Sequence, residues 1–294
     1  MKVNMSIMKK LMKRNSIRIC LIVTMCITSS ALKAADRITV TSKDITTFNR
    51  VMILKQSHSS NTCADIGLFF QGTPYVAKTL DQTTDEHLVV NLHQFDCTTF
   101  VESVLALWLI PDNATFDDFC KMLQTIRYRN GAMNGYCSRL HYFSDWIIDN
   151  QQKGYIKDIT QQLGGEEFIC QRNFMSTHSE LYLQLKNDSS NLAEIAHHEK
   201  RVNANSFYYI PTNKIGIIEN VIPSGSIIAI TTKIRGLDIS HVGFAVKQNG
   251  KTYFLHAPSA GKQVTLTTPN LSEYIASKPN NTGIVVLVPV KKLP

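Results

Sequence analysis

The sequence predicts an α+β fold in which helices come first and an antiparallel sheet follows. Three observations carry that expectation. Apolar residues recur at helical spacing in several segments between residues 43 and 203. Short β-rich runs cluster after Pro223. The turn Gln248-Asn249-Gly250 stands between two of those runs as a hairpin signal.

The first 35 residues read as a leader rather than as part of the fold. A basic start (Lys2, Lys9, Lys10, Lys13, Arg14, Arg18) precedes an apolar run over 19–32, and small residues at Ala34 and Ala35 precede Asp36. That order is the pattern of a secretory signal peptide. The run is short for a span, which wants roughly 20 apolar residues. An uncleaved anchor is the alternative, and lipidation at Cys26 is disfavoured by the bulky Met25 before it. The leader also holds Lys33, so seven of the 31 basic residues lie in it, with no acidic ones. The remainder has 24 basic and 23 acidic residues, a net of +1. No basic stripe remains to bind nucleic acid, and no stable membrane insertion is expected once the leader is removed.

Removing 35 of 294 residues leaves 259, enough for one large domain over 36–294. Helices are expected at 43–56, 61–70, 97–109, 115–127, 140–152, 190–203 and near 270–277. Strands are expected at 88–90, 226–232, 241–247, 252–256 and 283–289. Gly72-Thr73-Pro74-Tyr75 reads as a turn into an extended stretch. In the run CTTFVESVLALWL at 97–109, Phe100, Val101, Val104, Leu105 and Trp108 share one helical face, and Asp96 occupies the N-cap position. The stretch from about 112 to 222 reads as a mostly helical insertion between that helix and the sheet.

Five cysteines lie beyond the leader: Cys63, Cys97, Cys120, Cys137 and Cys170. An odd number leaves at least one thiol unpaired, and no CxxC spacing suggests a zinc knuckle or a redox pair. The sequence leaves open whether the others are buried thiols or form one or two disulfides. Cys97 is distinctive because it opens a helix. Unpaired N–H groups and the helix dipole there favour a thiolate and can receive an oxyanion. A small core residue in a capped helix is the bland alternative.

A base is available later in the chain. His241, in Ser240-His241-Val242-Gly243, begins a strand. His256 lies on the strand that the Asn249-Gly250 turn folds back against it. The hairpin brings both imidazoles toward one end of the sheet, where one can orient the other. His197-His198-Glu199 lacks the HExxH spacing, so no metal site or cofactor is expected.

Asp96-Cys97-Thr98-Thr99-Phe100, Ser240-His241-Val242-Gly243 and His256-Ala257 resemble the NlpC superfamily of papain-like cell-wall hydrolases. The resemblance implies a papain-like fold with Cys97 as nucleophile, His241 as base and His256 orienting it. The upstream Gly72-Thr73-Pro74-Tyr75 adds Tyr75 as an oxyanion helper. Phe95 to Glu102, together with the segment 135–146, is similar to the exported N-acetylmuramoyl-L-alanine amidase-like family over roughly 60–290. That similarity implies cleavage between the lactyl group of muramic acid and L-Ala in small muropeptides. One departure is visible: the superfamily usually has Asp-Cys-Ser-Gly, whereas here Thr99 adds bulk near the nucleophile.

The substrate is then a peptidoglycan fragment and the expected location is the periplasm. Arg139 is the candidate for a substrate carboxylate through its guanidinium fork. Ser138, His141, Tyr142, Asp96 and Ser240 are further binding candidates, and Trp146 one for sugar or peptide. Leu140, Phe143, Trp146 and Ile147 also have the spacing of a core face. Two rival functions remain: a γ-D-glutamyl–diamino acid endopeptidase on the same fold, and a non-catalytic peptidoglycan-binding module.

Overall fold

The computed structural model describes residues 38–57 and 62–291. The leader at 1–35 lies outside the described residues. The chain divides into two units, residues 1–39 and 40–294. Of the first, only the two-residue strand Ile38–Thr39 is described. All that follows concerns the second.

Helices α1 (Ser42–Ser57), α2 (Cys63–Phe69), α3 (Cys97–Leu109), α4 (Phe116–Arg127) and α5 (Phe143–Gln152) come first. The short α6 (Phe174–Thr177), then α7 (Ser189–Asn203) and α8 (Ile215–Ile218), follow, and α9 (Leu271–Ala276) lies among the late strands. Capping residues fix where several begin. Thr62, Asp96, Thr115 and Asn270 each accept a hydrogen bond from the N–H three residues on, in reciprocal capping boxes.

Leu88–Val89 is a two-residue strand outside the main sheet, whose strands are β1 (Ile156–Asp158), β2 (Glu166–Glu167), β3 (Tyr208–Pro211), β4 (Ile227–Thr232), β5 (Ile239–Gln248), β6 (Lys251–His256), β7 (Thr265–Leu266) and β8 (Asn281–Pro289). They form one eight-stranded sheet in the order β2-β3-β8-β4-β5-β6-β7, with β1 paired on β8. Each pairing in it is antiparallel. The β5–β6 hairpin sets Gly243 opposite His256, and β4 sets Ile230 opposite His241.

Side chains alternate along β4 with period two. Ile227 and Ala229 join Phe100, Val104 and Phe244 in the core under α3, while Ile228 and Ile230 join Phe254, Leu271 and Ile275 on the other face. Both faces of the central strands are thus covered, which is why β4 reads as an unbroken apolar run. Burying a side chain such as Phe100 contributes about 1.5–3 kcal/mol.

The helices expected over 97–109, 115–127 and 190–203 form within a residue of their expected ends. The stretch 112–222 is not purely helical, because it supplies β1, β2 and β3 to the main sheet. These strands are two to four residues long, too short for an alternation signal. The stretch also builds a small core of its own from Tyr136, Cys137, Tyr142, Met175, Leu185 and Ile195. The five cysteines beyond the leader are all free. Among the described residues no helix is long and apolar enough to cross a membrane.

Candidate active site

Cys97 is the first residue of α3. Asp96 caps the helix: Thr99 donates to its Oδ1 from both backbone N (2.8 Å) and Oγ1 (2.9 Å), and the Asp96 N–H donates to Thr99 Oγ1 at 3.0 Å. The bulk that Thr99 adds is therefore half of the cap, and Asp96 is committed to the helix rather than free for a substrate. The backbones of Val242 and Thr98 both lie against the Cys97 sulfur, where they favour its ionised form. Val242 follows His241 directly, so the start of β5 is brought onto the start of α3.

The His241 Nε2 lies 2.6 Å from His256 Nδ1. The rings stand nearly perpendicular, at 84° with centroids 4.9 Å apart. Phe254 stacks on His256 at 4.7 Å and Tyr274 meets it edge-on at 5.0 Å, which fixes the second imidazole. Because Nε2 of His241 is engaged, its free ring nitrogen is Nδ1. Among the described residues no hydrogen bond joins that ring to the Cys97 sulfur; the link between them runs through Val242.

Burial dominates the electrostatics. It pushes the Cys97 thiol from 9.0 up to about 12, with the Asp96 carboxylate adding to the rise. It pushes His241 down to about 4. His256 falls to about 3 through burial, then through the charges of His241 and Lys278. A helix dipole is worth about 0.3–1 kcal/mol, under one pH unit, and does not offset a rise of this size. Burial thus works against the thiolate that the helix N-terminus favours, and it works against an imidazolium at His241 as well.

Tyr75 joins this site. The Tyr75 N–H donates to Lys262 O (2.8 Å), and the next residue, Val76, donates to Phe95 O (2.9 Å), which holds the segment beside the start of α3. Its hydroxyl is pushed up by burial and then by Cys97 and Asp96. Tyr75, Cys97, Arg139, Tyr142 and Tyr182 line a cavity of about 330 Å³. His241 and His256 line a second, of about 550 Å³.

The 135–146 segment behaves differently from expectation. Arg139 lines the Cys97 cavity, but its fork is already engaged: Nη2 binds Asp81 at 2.5 Å, and Nε stands 3.6 Å from Glu86. Its guanidinium also covers the Tyr136 ring at 5.0 Å. An incoming carboxylate would have to displace Asp81. His141 is half-buried and lines the Cys97 cavity, with Nε2 on Tyr136 O (2.9 Å), and its surroundings hold it well below the usual imidazole range, chiefly through desolvation. Tyr142 donates to Glu199 (2.8 Å) and accepts from the Met175 N–H (2.9 Å), so its hydroxyl is structural. Ser138 bonds locally to Gly135 O and lines neither cavity. Ser240 is exposed and also lines neither. Trp146 is fully buried and stacked on Phe143, in the core. Sequence reasoning missed Tyr182 and the Asp81–Glu86 pair that holds Arg139; nothing in their local sequence marks them.

The family model described as "AmiA-like: N-acetylmuramoyl-L-alanine amidase-like" matches residues 65–284. The chain belongs to this N-acetylmuramoyl-L-alanine amidase-like family. Solved structures agree with the family's fold. An N-acetylmuramoyl-L-alanine amidase from Bacteroides uniformis is 36% identical with a TM-score of 0.75, covering 78% of this chain and 98% of its own. A Bacteroides fragilis protein named as a xylanase is 40% identical with a TM-score of 0.72, covering 76% and 98%. Protein LPG0564 from Legionella pneumophila, at 24% identity and a TM-score of 0.64, shares the fold over 86% of this chain and 98% of its own. A search of the curated proteins gave no match. Among the described residues no group of three or more His, Cys, Asp or Glu side chains is placed to hold a metal ion.

Proposed function

We propose that the chain is an exported, periplasmic cell-wall hydrolase of papain-like NlpC type. In this reading it is a cysteine-dependent N-acetylmuramoyl-L-alanine amidase acting on muropeptides. The observation that carries the reading is the 2.6 Å histidine pair at the start of β5, pressed by Val242 onto a cysteine at a helix N-terminus.

The mechanism starts from a neutral thiol and a neutral imidazole. With Nε2–H of His241 donating to His256 Nδ1, the Nδ1 of His241 is an unprotonated base. It takes the Cys97 proton as sulfur attacks the lactyl carbonyl, in a contact that closes when substrate enters. The imidazolium so formed is stabilised by the His256 lone pair. The Cys97 N–H and the Tyr75 hydroxyl receive the oxyanion. Collapse breaks the C–N bond, His241 returns the proton to the leaving amine, and water then hydrolyses the thioester.

The xylanase name of one relative points elsewhere, to a glycosidic bond. That chemistry uses two carboxyl groups facing the scissile bond. The carboxylates around the Cys97 cavity are each engaged: Asp81 by Arg139, Asp96 by Thr99 and Glu102 by Arg127. This favours the amide.

Mass spectrometry of a digested muropeptide decides the matter. Release of the intact stem peptide is expected from the wild-type protein and none from Cys97→Ala, with both proteins folded by circular dichroism. Equal turnover by Cys97→Ala would end the cysteine reading. A sugar still carrying a dipeptide would instead identify an endopeptidase.

A further inference from the structure

His241 and His256 line one cavity and Cys97 lines another. The Cys97 side is lined by phenol rings and by Asp81, Asp96 and Glu102, each already engaged, with its guanidinium held by Asp81 and Glu86 and the exposed Lys78 beside them. The His241 side carries the exposed Lys278, which lies after the end of α9 with its ammonium 5.7 Å from the Tyr274 ring centroid. Among the described residues no carboxylate pairs with Lys278.

The order of bond breaking tells which half of a substrate lies where, on the cysteine–histidine reading above. Sulfur attacks the carbonyl, so the acyl half lies toward Cys97. The histidine hands its proton to the departing nitrogen, so the amine half lies toward His241. For a lactyl–L-Ala amide the acyl half is an uncharged sugar, and aromatic faces suit it. The amine half is a peptide stem bearing carboxylates, and a cation without a partner suits it.

We infer that the cavity beside His241 and His256 is the subsite for the leaving peptide, and that Lys278 and Tyr274 make it selective for a stem carrying free carboxylates. Thr265 and Asn281 line the same cavity and give it a polar wall.

The test compares a MurNAc-dipeptide carrying free carboxylates with the same compound fully amidated. The wild-type protein is expected to prefer the acidic form by roughly two- to fivefold in kcat/KM, the size of one exposed charge contact. Lys278→Gln is expected to bring that ratio close to one, and Lys278→Glu to invert it. An unchanged ratio in both variants overturns the inference. Titration of Cys97→Ala protein with the free L-Ala-D-Glu dipeptide reads the subsite without catalysis. Weaker binding in Cys97→Ala/Lys278→Gln is expected, and equal binding refutes the subsite. Turnover of neither compound by the wild-type protein would count against the amidase reading, while the dipeptide titration would still decide the role of Lys278.

Discussion

Gly243→Ala is expected to cost both stability and turnover, because Gly243 faces His256 across the hairpin. A Cβ at Gly243 would stand 2.4 Å from the Leu255 carbonyl oxygen, 2.7 Å from a Phe254 ring carbon and 2.8 Å from the His256 Cβ. The nearest of these is backbone and has no rotamer to escape into. Ordinary contact begins near 3.4 Å, so β6 must retreat by about 1 Å. Overpacking of this kind costs about 1–3 kcal/mol. For a chain of this size that is about 2–4 °C of melting temperature per kcal/mol, or roughly 2–12 °C. The same movement would stretch the 2.6 Å His241–His256 contact beyond hydrogen-bond length. Misplacement by about 1 Å costs on the order of 100-fold in rate. Gly250→Ala is the control. Its φ of +76° strains alanine, but nothing lies within 4 Å of the new Cβ. It should lose about 1 kcal/mol and keep kcat. Muropeptide turnover and thermal melting measured on both variants decide the matter. A Gly243→Ala protein with wild-type kcat and melting temperature would refute the steric account of this position.

Further outcomes follow from the same geometry. The rate should stay level through neutral pH and fall on the acid side as His241 takes a proton near 4; a limb near pH 7 in kcat/KM would contradict the neutral resting pair. Stability should also fall with acid. The folded state holds His241, His256 and His141 neutral below their ordinary 6.5, so the unfolded chain binds more protons once the pH drops under 6.5. Urea midpoints at pH 7 and pH 5 check this, and identical values would count against it. Glu102 and Arg127 form a 2.7 Å ion pair, each side chain only 2% exposed. Glu102→Ala alone should cost about 3–5 kcal/mol, and Glu102→Met with Arg127→Met should recover most of it. A double variant no more stable than the single one would count against that account.

What the sequence disclosed and what it withheld divide along physical lines. Helices α3 and α4 announce themselves by capping residues and a 3.6-residue apolar period. The β5–β6 hairpin announces itself by the Asn249-Gly250 turn, and with it the pairing of His241 and His256, since a hairpin fixes register. Contacts made across long separations left no local mark. Arg139 looked like a free cation because its partners Asp81 and Glu86 lie more than fifty residues earlier. Tyr142 looked like a ligand-facing phenol because Glu199, which accepts its hydrogen bond, belongs to a helix that begins at Ser189. The electrostatics of Cys97 divide in the same way: a helix N-terminus is visible in sequence, whereas the burial that works against its thiolate is set by the assembled fold.

That burial shapes what the site can do. In the proposed mechanism, burial that raises the thiol to about 12 and lowers the imidazole to about 4 disfavours their ion pair, so deprotonation accompanies attack. The substrate then does part of the activating: its carbonyl, polarised by the Cys97 N–H and the Tyr75 hydroxyl, accepts the electron pair as the proton leaves. The second imidazole contributes most at that moment. Between two neutral rings its contact is an ordinary hydrogen bond, whereas against an imidazolium it becomes charge-assisted and roughly doubles in strength. On the proposed mechanism His256 therefore stabilises the transition state more than the ground state, which is the condition for raising kcat. On this account removing its acceptor nitrogen lowers kcat and leaves KM nearly unchanged.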